Sequence, residues 1–400
     1  ADPRSNIVFD DAKTYFSTHQ RRYDFIISEP SNPWVSGVSS LFTVEFYALV
    51  KRYLVPGGIL VQWLQLYETD ISLVASVLGA LGSQFPDYVI YASTDGDLLI
   101  VAGDEQALAR PLADITAVPG VGAELSRVHV QNLGDVEIRR IGGKRVLAPL
   151  FASYKVPANS DFEPFLDLHA ARHRYLHTSA DAVTTLGTAG VPVIEMLEGR
   201  KVSFQTEPSL DGSDYFEKLE LARRARYARD FLLRPRVPEP VNIPRTLQKD
   251  LEMTKLRLLE CRDPGRFDIW FHSLYNIAHS VNPMLPAEQA RDIWERLQKS
   301  SCLGALDASQ KRWLALFTAV GARDAARMAQ MAEMLLTEKS DLPGDHRQYL
   351  LAAGLAGHIA QGKRAEALAM LDRYKGDFKE DNLGLRLLKA HAAPGDKRVN

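Results

Sequence analysis

Residues 23–37 read Tyr-Asp-Phe-Ile-Ile-Ser-Glu-Pro-Ser-Asn-Pro-Trp-Val-Ser-Gly. An apolar run, Phe25-Ile26-Ile27, stops at Ser28 and the carboxylate of Glu29. A charge rarely ends such a run without a partner to satisfy it. Pro30 and Pro33 fix φ locally and remove two backbone donors, so the loop is stiff. It therefore presents Glu29, the Asn32 amide and the Trp34 ring with little freedom to lose on binding. A carboxylate at the carboxyl end of such a strand is placed to touch a ligand. Trp34 serves equally well as an apolar plug beneath the loop. His169, His173 and His177 recur every four residues, a spacing that aligns side chains on one helix face. The segment carries no acidic second shell, so a solvated histidine face is expected and no metal.

The elements that position this loop can be read around it. Ile7-Val8-Phe9 reads as a short strand, Asp10-Asp11 as an acidic corner, and Ala12–Phe16 as the start of a helix. Residues 24–28 read as a strand apolar on both faces, as in a parallel sheet covered by helices. Residues 41–54 place apolar side chains at helical spacing, and Pro56-Gly57-Gly58 ends that helix. Residues 59–64 form the next strand, and 70–85 a helix with Asp70 as its N-cap. Thr94-Asp95-Gly96 joins two strands as a hairpin. Strands alternating with helices argue for an α/β fold with a mostly parallel sheet and a closing antiparallel hairpin over residues 1–103. In such sheets ligands bind outside the carboxyl ends of the strands, which is where Glu29 falls.

Residues 104–210 read as a loop-rich extension with a small β element, from β-like runs at 127–131 and 136–147. Residues 211–244 hold a charged helix and a linker crowded with Pro235, Pro238, Pro240 and Pro244. From 245 to 400 the pattern is helical. Residues 319–336 and 360–374 resemble each other, with Gly321 and Gly362 about 41 residues apart. That suggests stacked helix pairs of tetratricopeptide type, somewhat longer than the usual repeat of about 34 residues. Two unrelated alanine-rich helices remain the alternative.

Tyr23-Asp24, Ile26-Ile27 and Ser31-Asn32-Pro33 match a motif of the spermidine and spermine synthases, the aminopropyltransferases. Leu41-Phe42-Thr43, Glu45-Phe46-Tyr47, Gly57-Gly58 and Gln62 continue the match, and 157–172 resembles a later segment of the same family. The sequence most resembles the spermidine-synthase-like branch often fused to membrane segments. The resemblance covers roughly residues 1–175 and is strongest over 23–67. It implies a class I methyltransferase-like (Rossmann-like) sheet and transfer of an aminopropyl group from decarboxylated S-adenosylmethionine to a diamine. Glu29 then occupies the position of the family's catalytic acid, an Asp there, with one extra methylene. A shift of about 1 Å in such a group can be costly. Asn32, Trp34, Gln62 and Tyr67 are expected on the amine side. Asp11, Ala12 and Ser28 are expected on the cofactor side. Asp10 and Asp11 serve equally as helix caps, Gln62 as a strand-end polar residue and Tyr67 as a packing residue.

The family's glycine-rich turn over the methionine part is not found, nor are the first two strands of its order 3-2-1-4-5-7-6. The chain lacks an initiator Met, and the expectation is either an excerpt of a longer protein, membrane-tethered through segments before residue 1, or a partner that supplies the centre of the sheet. Weak cofactor binding is expected of it. Two other functions stay open: an S-adenosylmethionine-dependent methyltransferase of the same fold, since Asn32-Pro33-Trp34 resembles part of a methyltransferase loop, and a non-catalytic scaffold whose repeats bind a protein partner.

Composition bounds the rest. With 46% hydrophobic and 24% charged residues and a net charge of −2, the chain reads as globular, with no electrostatic footprint for nucleic acid. No apolar run approaches the roughly 20 residues needed to span a bilayer. Cys261 and Cys302 read as two partly buried thiols in a reducing compartment, hence a cytoplasmic location, at a membrane's cytoplasmic face in the parent protein. A polyamine-type small molecule and a homodimeric partner complete the expectations.

Overall fold

The computed structural model describes residues 3–19, 21–109, 114–186, 190–213, 216–234, 236, 239–262, 267–338 and 342–393, without the side chains of 267–269 and 305. The chain divides into two units. One comprises Ala1–Pro111 and Gly142–Asp181, the other Leu112–Ile141 and Ala182–Asn400.

The first unit is built on a mixed sheet in which β1 is Tyr23–Ser28, β2 Leu54–Gln65, β3 Asp87–Thr94 and β4 Asp97–Gly103. A short β5, Arg140–Gly143, leads the chain back into this unit, and the strand order is β1-β2-β4-β3-β5. β1 runs parallel to β2, with Ile26 opposite Leu60 and Ser28 opposite Gln62. β4 is antiparallel to both β2 and β3. This is the 4-5-7-6 portion of the order expected from the resemblance, closed by the hairpin at Thr94-Asp95-Gly96. It makes the unit a Rossmann-like α/β sheet followed in the chain by an all-helical region.

Alternation along β2, β3 and β4 buries one face, with Leu60, Leu64, Tyr88, Ile90, Leu98 and Ile100 all within 1% of fully buried. The helix Ile71–Gln84 packs its apolar stripe of Leu73, Val74, Val77, Leu78 and Leu81 within the same core. Asp70 caps it as expected, accepting from the Ser72 amide at 2.8 Å. At its other end Lys144 Nζ donates to the carbonyls of Gly82, Phe85 and Pro86 at 2.7–3.1 Å, satisfying groups the helix leaves open.

Three expectations are corrected here. Ile7–Phe9 forms no strand, and Phe9 is 96% exposed, since no described strand lies beside it to take its backbone hydrogen bonds. β1 is not covered on both faces: Ile26 is buried, but Phe25 is 64% and Ile27 73% exposed. The run 127–131 is not β either. The helix Val121–Arg127 ends there, His129 takes a left-handed conformation at φ 60°, and Asn132 opens the next helix with a capping box to Asp135. Cap chemistry outweighs the β propensity of those residues. Within 136–147 only Arg140–Gly143 is extended.

In the second unit, Asp135 is a buried hub. Its carboxylate accepts from the amides of Gln131, Asn132 and Ser209 and from the Ser209 hydroxyl, all within 3.2 Å. Helices Glu217–Leu233, Arg245–Leu258, Phe267–Val281, Ala287–Gln298, Ala308–Ala322, Ala325–Glu338, Gly344–Ala360, Arg364–Arg373 and Leu383–Ala392 follow. Ala287–Gln298 packs on Ala308–Ala322, and each of the next three helices packs on its predecessor. The two glycines that suggested a repeat do different work. A Cβ on Gly321 would lie 2.7 Å from the Trp294 ring, whereas Gly362 makes a left-handed turn at φ 74° with open space around it. Of the linker prolines, Pro235 and Pro238 lie outside the described residues, and Pro244 begins the helix Arg245–Leu258.

Cys261 and Cys302, expected as thiols, form a disulfide with Cα atoms 4.9 Å apart. Their 41-residue separation gave no sign of this. Proximity arises because the helix Arg245–Leu258 packs against the turn Ser301–Ala305. Among the described residues no helix is long and apolar enough to cross a membrane.

Candidate functional site

Because β1 and β2 are parallel, their carboxyl ends lie side by side, and the loops that leave them, 29–37 and 66–70, emerge at one edge of the sheet. The hairpin turn reaches the same edge, where Gln65 pairs with Asp97. Trp63 Nε1 donates to Asp97 Oδ1 at 3.1 Å, and the Leu66 amide donates to the Gly96 carbonyl at 2.7 Å. A Cβ on Gly96 would lie 3.3 Å from the Tyr67 ring, so the turn seats that ring closely. Tyr67 also bridges to Ser179.

Here the structure brings together several of the residues expected at the site. Asn32 Nδ2 donates to Tyr67 Oη at 3.3 Å, and the Trp34 ring meets Tyr67 edge-on at 6.5 Å between centroids. The Val35 amide donates to the Asn32 carbonyl at 2.9 Å, closing the turn between the prolines and the tryptophan. Gln62 is fully buried. Its Nε2 donates to the carbonyls of Trp63 at 2.9 Å and Ser28 at 3.3 Å, and its Oε1 is left without a hydrogen bond. Buried acceptors left open are uncommon and are often functional. Gln65, buried two strand positions before Tyr67, has the same open Oε1 while Nε2 donates to the Tyr67 carbonyl at 3.3 Å.

Glu29 stands exposed directly after β1, and among the described residues its carboxylate has no hydrogen bond or ion pair. It is neither buried nor consumed by a structural salt link. Asp11 and Ala12 are not joined to this group. Asp11 caps the helix Ala12–Thr18, accepting from the Thr14 amide at 2.9 Å, and that bond holds its carboxyl below the usual carboxylate range.

Three side chains not expected at the site from the sequence, Arg174, His177 and Glu68, stand at this edge. The Arg174 guanidinium lies over the Trp34 ring at 5.2 Å and 3.8 Å from the Glu68 carboxylate. His177 Nδ1 lies 3.7 Å from Glu68. Glu68 was within reach of sequence reasoning, as a second acid just past a strand end. Arg174 was not, since it lies 140 positions from Trp34 with no local signal. His177 falls beyond the helix Phe165–Tyr175, so it shares no helix face with His169 and His173. His169 Nδ1 lies 2.7 Å from the Phe165 carbonyl and His173 Nδ1 3.1 Å from the Thr178 hydroxyl. Among the described residues no group of three or more histidines, cysteines or acids is arranged to hold a metal ion.

The frame of the site is locked by residues 157–166. Asn159, fully buried, donates from Nδ2 to the carbonyls of Ser39 and Phe42 at 3.2 Å each and accepts from the Leu166 amide at 3.0 Å. It thereby ties the turn after the Glu29 loop to the start of the helix that carries Arg174.

Comparison with known proteins finds similarity over the part of the chain that carries this edge. Residues 1–94 match the spermine/spermidine synthase domain. Polyamine aminopropyltransferase 1 of Pseudomonas aeruginosa is 43% identical over 60 residues, 15% of this chain and 21% of its own length. The polyamine aminopropyltransferase of Pseudomonas syringae is 33% identical over 90 residues, 22% of this chain and 31% of its own length. That of Mycobacterium tuberculosis is 31% identical over 126 residues, 30% of this chain and 23% of its own length. The chain thus spans between a fifth and a third of these curated relatives. A sheet in the expected order, the Tyr-Asp-Phe-Ile-Ile strand with its proline-framed loop, and the matched domain together make the N-terminal region of this chain similar to the spermine/spermidine synthase domain.

Proposed function

We propose that the first unit is built for aminopropyl transfer from decarboxylated S-adenosylmethionine to a polyamine-type acceptor. The observation that carries this reading is the convergence at one sheet edge of an unpartnered Glu29 carboxylate, the Asn32–Tyr67 hydrogen bond and the open Gln62 acceptor. In the proposed reaction Glu29 steers the cationic amine and takes one proton from its attacking nitrogen. A C–N bond forms at the carbon beside the sulfonium, the C–S bond breaks, and the thioether leaves with the electron pair. Asn32, Trp34, Gln62 and Tyr67 line the amine side, with Gln62 Oε1 accepting from an ammonium. Asp11, Ala12 and Ser28 belong to the cofactor side. The exposed Phe25 and Ile27, and the use of Asp11 as a helix cap, support weak donor binding and impaired turnover by residues 1–400.

The test is mass-spectrometric detection of the aminopropylated product from putrescine and decarboxylated S-adenosylmethionine, with Glu29→Gln as the variant. Loss of general-base assistance predicts a fall of about 10²–10⁴ in kcat. Unchanged turnover in the variant removes the assignment, and a methylated product from intact S-adenosylmethionine replaces it with the methyltransferase reading. Tight donor binding by calorimetry would end the claim of impairment. The helical region, read as tetratricopeptide-like repeats, is proposed to bind a protein partner; residues 1–400 are also proposed to form a homodimer, which sedimentation tests. The expected cytoplasmic location rested on reduced thiols, and the disulfide counts against it. Maleimide trapping of thiols in freshly lysed cells decides that point.

A further inference from the structure

The second unit contains a cavity of about 90 Å³ that the proposed transfer does not use. Its walls are largely apolar, with Ile138, Ile141, Ile194, Met284 and Leu285 among them. Charged side chains also line it, and nearly all are committed to one another. Glu198 is held by Arg140 through two bonds, at 2.8 and 2.9 Å. Glu195 is held by Arg323 through two bonds at 3.0 Å, with the arginine 3% exposed. Glu137 stands 3.6 Å from Arg200.

Lys218 is the exception. Its Nζ donates once, to the Arg140 carbonyl at 2.7 Å, and has no carboxylate of its own among the described residues. With Arg323 counted beside the lining, each of the three carboxylates has an arginine partner, and Lys218 alone among these cations has none. Leaving a charge unpaired in such surroundings is costly. Burial and the nearby Arg140 push the Lys218 ammonium down to about 8, with Glu195 offsetting only part of this.

We propose that this cavity binds a small aliphatic monocarboxylate, its carboxylate on Lys218 Nζ and its alkyl tail against the isoleucine and methionine wall. A single negative charge completes the local balance, and the two remaining N–H groups of the ammonium are free to donate to one carboxylate. The apolar wall selects a short hydrocarbon tail over a fully hydrated inorganic anion. A dianion would overshoot the balance by one charge.

Butyrate is the probe, used on the whole chain. Competitive acetylation across pH, read by mass spectrometry, reports how far Lys218 is protonated. Saturating butyrate is expected to raise the midpoint of Lys218 labelling by one unit or more and to slow its labelling at pH 8 at least tenfold. Butyramide and chloride are expected to do neither. Lys218→Met, with its circular dichroism unchanged, should lose at least tenfold in butyrate affinity by calorimetry, and Lys218→Arg should retain it. The proposal is overturned if butyrate fails to protect Lys218 at millimolar concentration, if chloride protects equally well, or if Lys218→Met binds butyrate as the parent does. The labelling experiment needs no variant, so a misfolded Lys218→Met leaves the question decidable.

Discussion

Replacing Asn159 by alanine removes a fully buried side chain that makes three hydrogen bonds. The carbonyls of Ser39 and Phe42 and the amide of Leu166 lose their partner together. Each bond contributes about 0.5–1.5 kcal/mol net, and a buried donor left unpaired costs about 1–3 kcal/mol, so the loss should be about 3 kcal/mol. For a unit of about 150 residues that corresponds to a fall in Tm of roughly 6–12 °C. Calorimetry of the full chain should show the transition of the first unit moving by this amount while that of the second stays in place. Asn159→Asp keeps the acceptor for Leu166 but sets a buried carboxylate against the Ser39 and Phe42 carbonyls, and should cost at least as much as alanine. Hydrogen exchange adds a local readout, because the Leu166 amide, bonded to the Asn159 side chain, should lose protection first. A loss below about 1 kcal/mol, or unchanged exchange at Leu166, would refute the view that this residue locks the frame of the site.

Other consequences are as open to measurement. His279 and His346 are both held below the usual histidine value of 6.5, chiefly by burial. The unfolded chain then binds more protons than the folded one, so the helical unit should lose stability as pH falls below about 6.5; His279→Phe should flatten that dependence in urea titrations at pH 5 and 7. Reducing the disulfide opens a 41-residue loop and should cost about 4 kcal/mol of chain-entropy stabilisation, read as a lower urea midpoint with dithiothreitol. Tyr67→Phe removes the acceptor for Asn32 while keeping the ring against Trp34, so the KM for the amine should rise several-fold with little change in Tm. Equal KM values would separate Tyr67 from the amine side.

The parts of this molecule that could be read from its sequence are those whose signals are local. Asp70 before a long apolar helix, Thr94-Asp95-Gly96 between two alternating strands, and an apolar run halted by Glu29 each carry their reason within a few residues. The Asn32–Tyr67 pairing was within reach because both follow adjacent parallel strands, whose carboxyl ends must share an edge. Ile7–Phe9 misled because three apolar residues look like a strand, whereas a strand exists only beside a partner. Residues 127–131 misled because a capping box at Asn132 and a left-handed His129 set the local backbone. Arg174 over Trp34, Lys218 at its cavity and the Cys261–Cys302 bond were hidden for one reason: each depends on helices and loops distant in the chain being packed together.

The Cys261–Cys302 bond closes a covalent ring around the two helices Phe267–Val281 and Ala287–Gln298. A protease that cuts once anywhere inside that ring opens the backbone without releasing a fragment. The nicked polypeptide should migrate as one band on a non-reducing gel and as two once reductant is added.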